Sequence, residues 1–174
     1  MEKSQFEALF KEEIVSKSGF QQSGLSVYFK NEMHTVALLR LGGRMAVSGG
    51  IAHVLCCRHS FLRNTDETVP EELDTEVFSY PLKIKPTEVN RGFFGLDIKY
   101  TSTNLHYDFE VFTYSDKNED EVKRYLATLS KSLDSVKDWF IHQSPSKLAT
   151  QILSNGTGAW IEKIWIEDYE KMAV

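Results

Sequence analysis

The sequence predicts an α+β protein: a single domain over residues 1 to 174, with an antiparallel sheet of about five strands and helices packed on one of its faces. Three observations carry this. A capped amphipathic segment opens the chain, runs of β-branched and aromatic residues follow it, and two apolar stripes at helical spacing close the sequence. Strands before helices is an α+β order rather than a repeating βαβ one.

Each element has a local cause. Ser4 and Glu7 in "SQFE" have capping-box spacing, and Phe6, Leu9, Phe10 and Ile14 recur on one helical face. Gly19 supplies a left-handed terminus, so the first helix runs from about Gln5 to Lys17 or Ser18. Strand character then marks residues 25 to 30, 34 to 41, 51 to 61, 76 to 84 and 105 to 114, with a further segment at 92 to 100. Asn31-Glu32 reads as a hairpin turn, and Pro81 as an edge or a break. Asn118 with Glu121 caps a long helix over 118 to 142, whose stripe is Val122, Tyr125, Leu126, Leu129, Leu133, Val136 and Phe140. Ser144-Pro145 starts a short helix that ends near Asn155-Gly156. In the last helix Trp160, Ile161, Ile164, Trp165 and Tyr169 share a face.

Composition excludes several function classes. With 41% apolar and 26% charged residues the chain is that of an ordinary folded protein, long enough to bury roughly 70% of its unfolded surface. Net charge is −5, and the basic residues divide evenly, ten in each half, so no Lys/Arg block provides a nucleic-acid footprint. The N-terminus has no apolar signal region and no run approaches a membrane span, which predicts a cytoplasmic protein. Two adjacent cysteines give no disulfide framework.

The densest cluster of chemistry-bearing residues is "HVLCCRHSF", 53 to 61. As a strand, it sets Ile51, His53, Leu55, Cys57, His59 and Phe61 on one face and Ala52, Val54, Cys56, Arg58 and Ser60 on the other. The two cysteines then diverge. Cys57 and His59 could share an ion only with ligands from elsewhere, His34 and His106 being the nearest by type. Packing is the expected role, with no metal and no cofactor. The Gly-Gly pairs in "LGGRMAVSGG" match neither phosphate-loop spacing and read as a connection between strands. Trp139, Trp160 and Trp165 stand at core-like positions, and no nucleophile elbow occurs.

Two surfaces remain as candidates. In "LHYDFEVFTY", His106, Asp108 and Glu110 alternate onto one strand face, where they serve either as a solvated face or as a small-molecule site with acid/base capacity. Between 63 and 76, Asp66, Glu67, Glu71, Glu72, Asp74 and Glu76 form an acidic loop with no base after Arg63, suited to a basic protein partner.

The run "FEALFKEEIVSKSGFQQSGLSVYFK", followed by "VALLRLGG" and "GGIAHVLCC", resembles the bacterial family catalogued as domain of unknown function 4304. The likeness covers about residues 6 to 60 and rests on Phe6, Phe10, Gly19, Phe20, Gly24 and Tyr28 in order. Where that family tends to carry a polar Gln-x-Ser ending at the second strand, this chain has Leu39-Arg40-Leu41. The resemblance implies an α+β fold and a bacterial cytoplasmic setting, and transfers no catalytic residue. The expected function is a non-enzymatic binding or interaction module, of the immunity or antitoxin kind, with the His106, Asp108 and Glu110 face as the alternative.

Overall fold

The computed structural model describes residues 1–42, 47–63, 66–69, 82–92, 95–102, 111–154 and 160–172. It is an α+β fold whose sheet holds six described strands against the five or so expected, in the order β1 (Gln21–Ser23), β2 (Ser26–Lys30), β3 (His34–Arg40), β5 (His53–His59), β6 (Leu82–Gly92) and β7 (Gly95–Ser102). Every pairing is antiparallel. A separate two-stranded ladder joins β4 (Gly50–Ile51) to β8 (Phe112–Thr113).

The first helix is one rod made of α1 (Lys3–Phe10), a π segment (Lys11–Val15) and α2 (Ser16–Ser18), and it stops at Gly19, whose φ of 68° few other residues tolerate. Its cap lies two residues earlier than the sequence suggests. The Glu2 N–H donates to Gln5 Oε1 at 3.0 Å, so Glu2 and Gln5 take the roles expected of Ser4 and Glu7. An equally spaced polar pair that begins the helix sooner satisfies the same orphan donors and gains two more helical residues. Helix α3 (Glu119–Phe140) starts where Asn118 Oδ1 accepts from the Glu121 N–H and Glu121 Oε2 accepts from the Asn118 N–H, each at 3.0 Å. Helices α4 (Pro145–Ser154) and α5 (Trp160–Met172) follow.

Helix α3 lies across β3 and β5 and contacts the first helix. Between these layers Phe6, Phe10, Ile14, Val27, Val36, Leu38, Cys57, Leu126, Leu133 and Phe140 are fully or almost fully excluded from water. The sequence places strand residues 51 to 61 in one run, whereas the structure breaks it at Ala52. Ile51 pairs with Phe112 in the small ladder, and the Ala52 carbonyl accepts from the Leu41 N–H at 2.9 Å. Beside that junction Gly49 has φ +71°, and a Cβ on it would stand 2.5 Å from Ser115 Oγ, so the close approach of the two segments requires glycine. The strand expected at 76 to 84 is described only from Leu82 and continues to Gly92, and the one expected at 105 to 114 only at 112 and 113 before a 3₁₀ turn, Tyr114–Asp116.

Candidate functional site

Antiparallel register builds the first polar cluster. Strand β3 opposes β5 so that His34 faces His59, Val36 faces Cys57, Leu38 faces Leu55 and Arg40 faces His53. The face expected from alternation, His53, Leu55, Cys57 and His59, therefore turns toward the helices, and Cys57 is a fully buried thiol. Cys56 stands opposite Ala37 in the alternate row.

His59 is fully buried among aromatic rings. Its ring lies 5.3 Å from Phe61, 5.1 Å from Phe140, 5.5 Å from Tyr169 and 5.2 Å from His34. Nδ1 and the Tyr169 hydroxyl share a hydrogen bond of 2.9 Å. Nε2 has no partner in hydrogen-bonding geometry, although the Gln143 backbone lies near enough to raise the ring's proton affinity a little. Burial dominates, with repulsion from His34 added, and lowers the His59 pKa to about 4.

His53 repeats the arrangement at the other end of β5. It shares a 2.9 Å hydrogen bond with the Leu25 carbonyl and stacks on Phe10 at 5.5 Å. A carbonyl can only accept, so Nε2 carries the proton and Nδ1 is left as a buried, unpartnered acceptor. Burial lowers this pKa to about 4 as well, against the Leu25 bond and with Arg40 adding to the shift. Both imidazoles are neutral at pH 7, His59 fully buried and His53 half-buried. His34, partly exposed, is shifted down by burial too.

A second cluster ties the end of β5 to α5. Arg63 Nε donates to Asp168 Oδ1 at 2.7 Å and the Arg63 backbone N–H to Asp168 Oδ2 at 3.1 Å. The Trp165 indole N–H donates to the Arg63 carbonyl at 2.9 Å, and Arg63 Nη2 reaches Glu167 Oε2 at 3.3 Å. Asp168 is 6% exposed. One residue earlier, the buried Arg58 guanidinium donates to the Leu62 carbonyl. Both Leu62 and Arg63, in the segment leaving β5, are therefore held.

The acidic segment follows Arg63 in the sequence, and 66–69 is the part of it that the structure describes. Asp66 and Glu67 are exposed, as expected. Asp66 Oδ1 accepts from the Thr68 hydroxyl at 2.6 Å and from the Thr68 N–H at 3.1 Å, and these bonds hold its carboxyl below the usual range. Glu67 sits at φ 66°. Glu71, Glu72, Asp74 and Glu76 lie outside the described residues, and so do His106, Asp108 and Glu110. The segment that emerges next to Glu110 borders an open groove lined by Val111, Phe112, Thr113, Asp116, Lys117 and Tyr125, with the Phe112 and Tyr125 rings stacked at 3.7 Å.

Among the described residues no group of three His, Cys, Asp or Glu side chains could hold a metal ion, and no helix is long and apolar enough to cross a membrane. Sequence reasoning named His34 as a neighbour of His59 by type only, and it missed both Tyr169 as the partner of His59 and the pairing of Arg63 with Asp168. Partners more than a hundred residues apart leave no local signal. No protein-family model, no curated protein and no solved structure matches the chain.

Proposed function

We propose that the chain is a binding module for a basic protein partner, of the immunity or antitoxin kind, that engages its target through the acidic segment 66 to 76 and performs no chemistry of its own. The observation that carries this reading is the anchored root. Arg63, three residues before the first carboxylate of the segment, is fixed by Asp168, Glu167 and Trp165. Asp66 is kept ionised by Thr68, and Glu67 is exposed beside it. A negative surface speeds encounter with a positive one.

Partner capture from the host, followed by binding kinetics on the purified pair, tests this. Replacing Asp66, Glu67, Glu71, Glu72 and Asp74 by their amides should slow association about tenfold at low salt and flatten its salt dependence, with dissociation little changed. An association rate that is the same in both proteins at every salt concentration overturns it.

A second reading is small-molecule binding at the His106, Asp108 and Glu110 face, which precedes in sequence the groove beside Phe112 and Tyr125. It requires raised carboxyl pKa values at Asp108 or Glu110 in an NMR titration. Reference values near about 4 for both remove it.

A further inference from the structure

Helix α5 is tied to the end of β5 at two points. Arg63 takes one, through Asp168, Glu167, Trp165 and the Ile164 carbonyl, which its Nη2 reaches at 3.5 Å. His59 takes the other, by the hydrogen bond its Nδ1 shares with the Tyr169 hydroxyl. Asp168 and Tyr169 are consecutive residues of one helix, so the two ties open together.

The His59 ring has no place for a proton's charge where it stands. It is fully buried, its Nε2 has no hydrogen-bond partner, and Phe61, Phe140 and Tyr169 lie around it. From β3, His34 is its register partner, ring to ring at 5.2 Å, and repels it when charged. On β5 itself Cys57 and the Arg58 cation act on the Tyr169 hydroxyl. Helix α3 presents the Phe140 ring, and the turn after it the Gln143 backbone. On α5 the Asp168 carboxylate is turned to Arg63 with Lys171 beside it, and the exposed Glu167 reaches the same guanidinium. Among the described residues no carboxylate is placed to compensate a charge on the ring. A proton held there is therefore a buried charge without a counterion.

Of the walls around the ring, α5 is the one that can leave at least cost. Helix α3 lies across β3 and β5 and touches the first helix, whereas α5 has its main contact with α4. Lifting α5 takes Tyr169 off His59 and opens the imidazole to water. The same movement takes Asp168 and Trp165 off Arg63.

We propose that α5 is an acid-released clasp: uptake of a proton by His59 lifts the helix from the end of β5 and frees Arg63, three residues before the acidic segment, while β3 and α3 stay folded. This goes beyond the partner reading and does not depend on it. The closed ring has a pKa of about 4 and a water-exposed imidazole one of 6.5, so opening is favoured increasingly as pH falls from 6.5 toward 4, and no further below it. Between pH 7 and pH 5 these values raise the open fraction about twentyfold.

Hydrogen exchange followed by NMR at pH 7, 6 and 5 tests the proposal, each rate being divided by that of an unstructured chain at the same pH. The Arg63 amide and the Trp165 indole N–H report the clasp, because each is a donor in it, and the β3 amides report the sheet. In the wild-type chain the two clasp protons should open about twentyfold more often at pH 5 than at pH 7. At pH 5 they should also open at least about tenfold more often than the β3 amides. His53→Gln should keep the rise, since His53 stands at the other end of β5. His59→Phe combined with Tyr169→Phe replaces both hydrogen-bond partners by apolar rings, an exchange a core tolerates, and should abolish the rise. The comparison of clasp with sheet in the wild-type chain needs no variant and decides on its own if the double replacement does not fold. A wild-type rise under about threefold, clasp protons that open no more often than the β3 amides, a rise lost in His53→Gln, or a rise kept in the folded double variant overturns the proposal.

Discussion

The Tyr169 hydroxyl satisfies one nitrogen of a histidine whose other nitrogen has no partner, so its removal would leave a fully buried imidazole with none. Tyr169→Phe changes almost no volume, and orphaning a buried polar group costs about 1 to 3 kcal/mol. Urea denaturation should show that loss with an unchanged slope, and a loss under about 0.5 kcal/mol would mean that the bond is not made in solution. Asp168 plays the corresponding part for the loop root, since one carboxylate takes both the backbone N–H and the guanidinium of Arg63. Asp168→Ala should cost about 1 to 3 kcal/mol, and hydrogen exchange should speed up at the Arg63 amide more than in β3. Equal acceleration in both places would show that the contact is not a local tether.

At the scale of elements, α3 provides the cleanest test, because its start is a reciprocal pair of local hydrogen bonds at the surface. Asn118→Ala removes the acceptor for the Glu121 N–H and should lower stability by about 1 kcal/mol, measured by thermal or urea unfolding. A helix whose stability ignores this change would owe its start to packing alone. This helix is also the element most legible in the sequence, expected at 118 to 142 and found at 119 to 140, because both cap and stripe are written in consecutive residues. Strand limits are less legible. Residues 50 and 51 leave the main sheet because Phe112 and Thr113, about sixty positions away, offer them another ladder. The extra Thr87 in β6 is likewise visible only once β7 lies beside it. The candidate site follows the same division. Alternation correctly separates Cys57 and His59 from Arg58, whereas the pairing of Arg63 with Asp168 spans 105 positions and has no local trace.

For the whole molecule, His53 and His59 set an acid limit on stability that Asp66 does not share. Each has a folded pKa near 4 against an unfolded value of 6.5, so the unfolded chain binds more protons between those values. A depressed folded pKa favours the folded state in full above pH 6.5, loses that advantage as pH falls toward 4, and contributes no further change below it. A difference of this size corresponds to about 3 kcal/mol for each ring as an order of magnitude, which together is a large part of the 5 to 15 kcal/mol typical of such domains. His34, shifted in the same direction, adds to the slope. Asp66, held below the usual carboxyl range, destabilises only at lower pH and leaves the upper window to the histidines. Urea midpoints measured from pH 7.5 to 4.5 should therefore hold steady down to about pH 6.5 and then fall, by up to about two protons' worth of slope. His53→Gln combined with His59→Gln should be less stable at pH 7.5 yet much flatter across the window. A wild-type midpoint that stays level down to pH 5 would mean that these rings reach water in solution and that the core is not closed around them.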